Sequence, residues 1–382
     1  MLVPRRLILI AIALLALGSS LHAEPPGDRP LRVYIGTYTG SGSKGIYVAH
    51  FDPADGHFSA ANLAIDLESP SFLAVHPNQK FMYAVSENYG HGTVMALSIN
   101  PDDSLTLLNT QSSGGKGPCY VTTDPSGRVA LVANYGDGIF ESLPITADGK
   151  LAGPASVIHD EGHSVNKSRQ EGPHAHSINP DPAGHFAFGC DLGLDHVQIF
   201  QLDTEHGTLT ADQPAFAEVP PGSGPRHLAF HPNGRFVYVI SEIANTITAF
   251  TYQPATGEMK SIQTLSTLPA DFHGQSYCAE VQVHPSGQFL YGSNRGDDSL
   301  ALFTIDQATG QLTPHGQFKT GGKTPRNFRM DPTGKWLMAA NQDSGTVNLF
   351  RIDAATGALT PSGSRFVPSP CCIRFAQTAS PQ

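Results

Sequence analysis

The amino-acid sequence predicts an all-β fold: a seven-bladed β-propeller of four-stranded blades, closed by pairing of the N- and C-terminal strands in one blade. Three observations carry this. A Pro-containing hairpin turn recurs at His76-Pro77-Asn78, Asp124-Pro125-Ser126-Gly127, Asp181-Pro182-Ala183-Gly184, His231-Pro232-Asn233-Gly234, His284-Pro285-Ser286-Gly287 and Asp331-Pro332-Thr333-Gly334, with starts 48, 57, 50, 53 and 47 residues apart. An alternating strand pattern recurs seven times, near Ile46, Val94, Ile139, Val197, Ile247, Leu300 and Val347. The two ends are complementary. Val33-Tyr34-Ile35-Gly36-Thr37-Tyr38 reads as a second strand lacking a first, and Pro370-Cys371-Cys372-Ile373-Arg374-Phe375 matches the first strand Pro225-Arg226-His227-Leu228-Ala229-Phe230. A period of this length marks units that bury apolar faces only against neighbours. Radial closure leaves short, protected sheet edges, and a flat array would leave the matching ends unexplained.

Each unit is justified strand by strand. An apolar run such as Leu228-Ala229-Phe230 precedes the turn, and Phe236-Val237-Tyr238-Val239-Ile240 follows it. Thr246-Ile247-Thr248-Ala249-Phe250 supplies a third strand whose β-branched and aromatic residues suit a pleated surface. A Gly-containing turn such as Pro254-Ala255-Thr256-Gly257 then leads to a more polar fourth strand, as in Gln311-Leu312-Thr313 of the next unit. The His and Asp residues that open the hairpin turns recur with the repeat and read as turn-forming rather than catalytic.

Outside the repeats, residues 1–23 read as a secretory signal peptide: Arg5 and Arg6 precede an apolar run over 7–17, and Leu21-His22-Ala23 offers a cleavage site. Residues 24–32 read as a flexible leader, 33–376 as the propeller and 377–382 as a tail. No lipoprotein cysteine stands at the cut and no later segment is apolar enough to span a membrane, so a soluble protein exported to a periplasm or the medium is expected. The net charge of −10 argues against general nucleic-acid affinity. Five cysteines include an odd one, and without any CxxC pair they read as buried small residues rather than a disulfide framework or metal site.

Hairpin geometry places the start of each first strand and the end of each second strand at the same mouth of the central channel. Five residues before each turn stand Ser71, Cys119, His176, Arg226, Ala279, Arg326 and, by closure, Cys371. Eleven residues after stand Glu87, Tyr135, Leu192, Glu242, Arg295 and Gln342, with Tyr38 from the first blade. His227, Glu280 and Asn327 lie one residue further along the first strand, and Asn294 one before its second-strand slot. Three arginines from a total of 23 basic residues converge in this acidic chain. A cationic funnel with low-dielectric walls suits a small anionic ligand, which Arg grips bidentately. Inter-blade ion pairing is the competing reading for any one of them. Non-repeated polar residues in repeated slots are the better candidates, because the blade itself does not demand them: His176, Arg226, Glu242, Arg295 and Arg326. Residues 160–173 form the longest departure from the repeat, containing Lys167, Arg169 and Glu171, and are expected either to rim the mouth or to be a solvated loop. His159, His163, His174 and His176 lack metal-ligand spacing beyond His174-Ala175-His176, so no metal is assigned.

Six words of the sequence resemble the lactonase family with a seven-bladed β-propeller fold: Tyr34-Ile35-Gly36-Thr37-Tyr38-Thr39, Gly172-Pro173-His174-Ala175-His176, Gly224-Pro225-Arg226-His227-Leu228, Ser241-Glu242, Ser293-Asn294-Arg295 and Thr324-Pro325-Arg326-Asn327-Phe328. That family includes propeller-type 6-phosphogluconolactonases and a carboxy-muconate lactonizing enzyme. The resemblance implies a cofactor-free catalytic set of His174 or His176 with Arg226, Glu242 and Arg295. Combined with the slot count, it implies hydrolysis of a sugar lactone, with Glu242 or His176 as base and Arg226 and Arg295 at the oxyanion. His174, His227, Glu280, Asn294, Arg326 and Gln342 are then expected around the substrate, and the protein is expected to be a monomer. Export departs from the cytosolic role of the phosphogluconolactonases and puts a phosphorylated substrate in question. A non-catalytic ligand- or protein-binding propeller and a muconate-type lactonizing isomerase are the alternatives.

Overall fold

The computed structural model describes residues 29–40 and 42–378, and every described strand belongs to one of seven antiparallel sheets arranged as blades. The signal-peptide reading, most of the leader and residues 379–382 lie outside the described residues. Blade 1 is the closure blade. Its innermost strand is Pro370–Gln377, followed outward by Leu31–Thr37, Gly45–Asp52 and a split outer edge, His57–Phe58 and Asn62–Asp66. Tyr34 thus pairs with Val48 on one side and Arg374 on the other. The ladder begins at Leu31 and so takes in the last two residues of the expected leader, because Phe51 and Gln377 both offer Leu31 partners. In blades 2–7 the innermost strands are Leu73–Val75, Pro118–Thr123, Ala175–Pro180, Pro225–Phe230, Tyr277–Val283 and Pro325–Met330. These strands contact those of adjacent blades and form the channel wall.

Apolar clusters lie between blades, as repeat physics requires. Tyr238 and Ile240 of blade 5, for example, pack with Leu290 and Phe303 of blade 6. The turn residues add a directional brace. The Asn233 N–H donates to His231 Nδ1 at 3.1 Å, which leaves the neutral ring's Nε2–H to donate to the Gly287 carbonyl of the next blade at 2.9 Å. His76 reaches Gly127 and His284 reaches Gly334 in the same way, both at 2.8 Å. Gly287 has φ of +74°, and a Cβ there would stand 2.7 Å from the His231 ring, so both conformation and contact require glycine. The Asp turns are self-contained: Asp124 Oδ1 accepts from the Arg128 and Val129 N–H groups, each at 2.7 Å. On the outer side, Tyr83, Tyr238 and Tyr291 donate to Gly149, Gly310 and Gly357 of the following blade, and Trp336 Nε1–H donates to Pro53 across the closure.

Candidate active site

A repeated backbone irregularity delivers side chains to the mouth. In blade 5 Pro225 pairs with Ser241 and His227 with Ile240, so Arg226 is left out of the ladder as a bulge. The same register shift leaves out Cys119, His176, Arg326 and Cys371, and in blade 6 Ala279 and Glu280. Proline precedes four of these positions, at Pro118, Pro225, Pro325 and Pro370, and cannot donate to a ladder. A bulge re-aims the side chain it carries and locally bends the strand.

Glu242 is the hub. Its Oε2 accepts from Arg226 Nε at 3.0 Å and lies 2.7 Å from an Arg295 Nη2, while Oε1 accepts from an Arg169 Nη2 at 2.6 Å. His176 Nε2 stands 3.9 Å from Oε2. Arg226 also donates to the Ala279 carbonyl at 2.6 Å and Arg295 to the Cys278 carbonyl at 3.0 Å, which fixes both guanidinium planes. Arg169 comes from the long insertion, which therefore rims the mouth. The loop is held by the fully buried Gln170, whose amide donates to Leu192 O and Asp195 Oδ1, each at 2.9 Å. Arg169 donates as well to the Tyr135 hydroxyl at 3.2 Å, and His174 stacks on the Tyr135 ring with centroids 4.6 Å apart. The His174 Nδ1–H donates to the Tyr135 carbonyl at 2.9 Å, so Nε2 carries the lone pair, 3.5 Å from Glu171 Oε1.

A second group adjoins the hub. Arg326 donates to the Tyr38 hydroxyl at 2.8 Å, and that hydroxyl donates to Glu87 Oε2 at 2.6 Å, which also accepts from Ser71 Oγ at 2.5 Å. Within this hydrogen-bonded network four guanidiniums, of Arg169, Arg226, Arg295 and Arg326, stand against the carboxylates of Glu242 and Glu87, a surplus of two positive charges. Burial alone would raise the Glu242 carboxyl, but the Arg295 and Arg226 charges and the hydrogen bond from Arg169 hold it well below the usual carboxylate range. Burial and the Arg226 charge push His176 well below the ordinary imidazole value, so it is neutral.

The remaining expected residues are placed differently. Asn294 is fully buried and its amide donates to Thr267 O at 3.0 Å and Ser299 Oγ at 3.2 Å, away from the cluster. Gln342 follows directly on the strand Trp336–Asn341, with Oε1 buried and unpartnered. His227 and Glu280 lie deeper. His227 Nδ1 is 3.3 Å from Glu280 Oε1, and His227, Tyr120 and Phe72 meet with centroids 4.2 to 5.8 Å apart. These three rings form a septum across the channel. On the mouth side the space beneath Tyr38, Glu87 and Arg226 is only about 10 Å³, so a ligand must seat above the cluster, under the insertion. The larger cavity lies on the far side of the septum, with Glu280 in its lining. Arg169 was not assigned a role from sequence; its one available signal was membership of the sole long insertion. Among the described residues no cluster of three or more His, Cys, Asp or Glu could hold a metal ion, and all five cysteines are buried and unpaired.

Comparison with known proteins bears on the family and the fold. The family model described as "Lactonase, 7-bladed beta-propeller" matches residues 32–375. The chain is 37% identical over 300 residues to a 6-phosphogluconolactonase of Bacillus subtilis, covering 78% of this chain and 84% of that one. It is 33% identical over 312 residues to a 6-phosphogluconolactonase of Formosa agariphila, covering 78% and 86%. The periplasmic gluconolactonase of Pseudomonas aeruginosa superposes with a TM-score of 0.86 at 32% identity, covering 92% of this chain and 100% of that one.

Proposed function

The chain belongs to the lactonase family of seven-bladed β-propellers, and we propose that the mouth organised by Glu242 is where it opens a sugar lactone to the hydroxy acid. The observation that carries this assignment is the surplus of two guanidinium charges around a pair of carboxylates, on the face where bulged first strands and second-strand ends converge. In lactone hydrolysis a water oxygen bonds to the carbonyl carbon, the carbonyl oxygen becomes an oxyanion, and the ring C–O bond then breaks. The water proton passes to a base, and the ring oxygen takes up a proton as it leaves. Arg226 and Arg295, fixed by backbone carbonyls, are positioned to meet the oxyanion, a preorganisation worth about 10²–10³ in rate per donor.

Glu242 is too weakly basic to take the water proton; its role is to orient three guanidiniums. The proton acceptor is a histidine. His176 is neutral but depressed in basicity. His174 has its tautomer fixed by the Tyr135 carbonyl, which leaves Nε2 free and Glu171 close enough to stabilise an imidazolium. His174 is accordingly the better base, and Arg326 a binding residue for the substrate's polar or anionic end. No cofactor is invoked. For the substrate we favour a D-glucono-lactone without phosphate, acting outside the cytoplasm. The Arg5, Arg6 and apolar N-terminal pattern supports export, as does the periplasmic neighbour.

The experiment compares hydrolysis of D-glucono-1,5-lactone, its 6-phosphate and a muconolactone by wild type, Arg226→Ala and His174→Gln. Loss of about 10²-fold or more in kcat is expected for Arg226→Ala, and a loss of at least about 10²-fold for His174→Gln if it takes the water proton. Wild-type turnover in Arg226→Ala would remove the assignment. Fractionation of cells expressing the full chain tests export, and recovery only with cytoplasmic markers would refute it.

A further inference from the structure

The far mouth of the channel is a cup of about 660 Å³ to which all seven innermost strands contribute, closed above by the Phe72–Tyr120–His227 septum. Its polar lining includes Arg329, Arg374, Asn179, Gln282 and Glu280. Arg329 is exposed within this recess and makes no side-chain hydrogen bond or ion pair among the described residues. Arg374 donates to the Ile373 carbonyl at 2.7 Å and stacks on Phe72 at 4.6 Å, and it too has no carboxylate within 4 Å. The acids nearby are already engaged. Glu280 accepts from Val281 N–H and Asn327 and faces His227, and Asp331 is taken up by its own turn, through Thr333 and Trp336. Enclosure by the strands around the recess and then the neighbouring Arg374 charge lower the Arg329 proton affinity, against the opposing pull of Glu280.

We propose that this cup is a second ligand site, distinct from the lactone-opening mouth, and that it binds a small oxyanion of the phosphate class between Arg329 and Arg374. Paired guanidiniums are suited to the several acceptor oxygens of a phosphate or phosphate monoester. The recess is large enough for a sugar phosphate and excludes macromolecules. The site also has a route to the other mouth. Glu280 faces His227 at 3.3 Å, and His227 Nε2 is 3.2 Å from Arg226 Nη1, so charge placed in the cup is felt by the guanidinium that meets the oxyanion. The proposal rests on the cup's own residues and stands whether or not the Glu242 mouth is the reacting one.

The test is calorimetric titration of the full-length protein with inorganic phosphate, a hexose 6-phosphate and gluconate, using wild type, Arg329→Ala, Arg329→Lys, Arg374→Gln and Arg226→Ala. Expected is saturable phosphate binding that weakens at least ~10-fold in Arg329→Ala and Arg374→Gln, recovers in part in Arg329→Lys, and persists in Arg226→Ala. Tighter binding of the hexose phosphate than of inorganic phosphate would identify a monoester as the ligand, and the reverse order the free ion; gluconate should bind worst. Lactone turnover by Arg329→Ala in phosphate-free buffer should match wild type, which shows that the variant folds. Absence of heat at ~10 mM phosphate, equal affinity in wild type and Arg329→Ala, or binding abolished only by Arg226→Ala would each overturn the proposal.

Discussion

Replacing Glu242 by Gln asks how far one carboxylate holds the mouth together. The substitution keeps the shape and removes the charge that three guanidiniums approach, at 2.6 Å for Arg169, 2.7 Å for Arg295 and 3.0 Å for Arg226. At an effective dielectric near 20, each such attraction is worth roughly 6 kcal/mol before desolvation is subtracted. Arg226 and Glu242 are buried, so most of that gain offsets the cost of taking the ions out of water. What the variant exposes is the uncompensated remainder. Removing one partner of a buried ionic group costs about 3–5 kcal/mol, and we expect the lower end because Arg169 and Arg295 can turn partly to solvent. At roughly 2 °C per kcal/mol for a chain of this size, the melting temperature should fall by about 6–8 °C. The pH dependence has a defined sign. The Glu242 carboxyl is depressed in the folded state, so its contribution is complete above the unfolded carboxylate value of about 4.5 and is lost as pH falls through its folded value. The gap between wild type and variant should therefore be flat from neutral pH down to about pH 5 and close below it. Sulfate should recover part of the loss by occupying the vacated counter-charge, about 2.7 kcal/mol at a hundred times its dissociation constant. Differential scanning calorimetry across pH and sulfate concentration measures all three. A melting temperature within about 1 °C of wild type, or a gap that widens in acid, would refute the hub reading.

The other predictions concern parts with separable roles. Glu141 is fully buried with neither oxygen hydrogen-bonded, and burial pushes its carboxyl up to about 8. Its folded value lies above its unfolded one, so ionisation penalises the fold as pH rises from about 4.5 to 8. Glu141→Gln should gain stability over wild type progressively across that window and level off above it; a difference independent of pH in urea unfolding would show the carboxyl to be solvated. Tyr238→Phe removes the 3.0 Å bond to Gly310 between blades 5 and 6 and should cost about 1–2 kcal/mol with kcat unchanged. A larger activity loss than stability loss would contradict its purely structural place. Arg169→Ala should lower kcat/KM by about 10-fold, on the order of 1.4 kcal/mol, because one rim contact to Glu242 is lost while Arg226 and Arg295 remain; unchanged kinetics would mean that the insertion is only a cover.

The fold was legible because its signals are local and repeated. Proline-containing turns, alternating strands and matching end segments each depend on a few neighbouring residues, and the register of Tyr34 with Arg374 follows from them. The cluster of Arg226, Glu242 and Arg295 was legible for the same reason: equivalent slots in equivalent hairpins must share an end. Asn294 and Glu280 show the limit. A count along the chain gives height but not side-chain direction. Asn294 turns between strands to serve Thr267 and Ser299, and the two-residue bulge at Ala279 and Glu280 sends the carboxylate below the septum. Arg169 was out of reach for a different reason. It lies in an insertion with no repeat to align it, and only the tertiary anchoring of Gln170 on Asp195 decides where the loop comes down.

Closure by the Pro370–Gln377 strand has a consequence in time. The wall that Leu31–Thr37 needs is made of residues more than three hundred positions downstream, so the ring stays open until almost the whole chain has been synthesised. Cys371, next to Ser71 and Gly36, and the Trp336 seam to Pro53 can form only then. Pairings separated by more than three hundred residues carry a large loop-closure cost, so ring closure is the step expected to come last and slowest in folding.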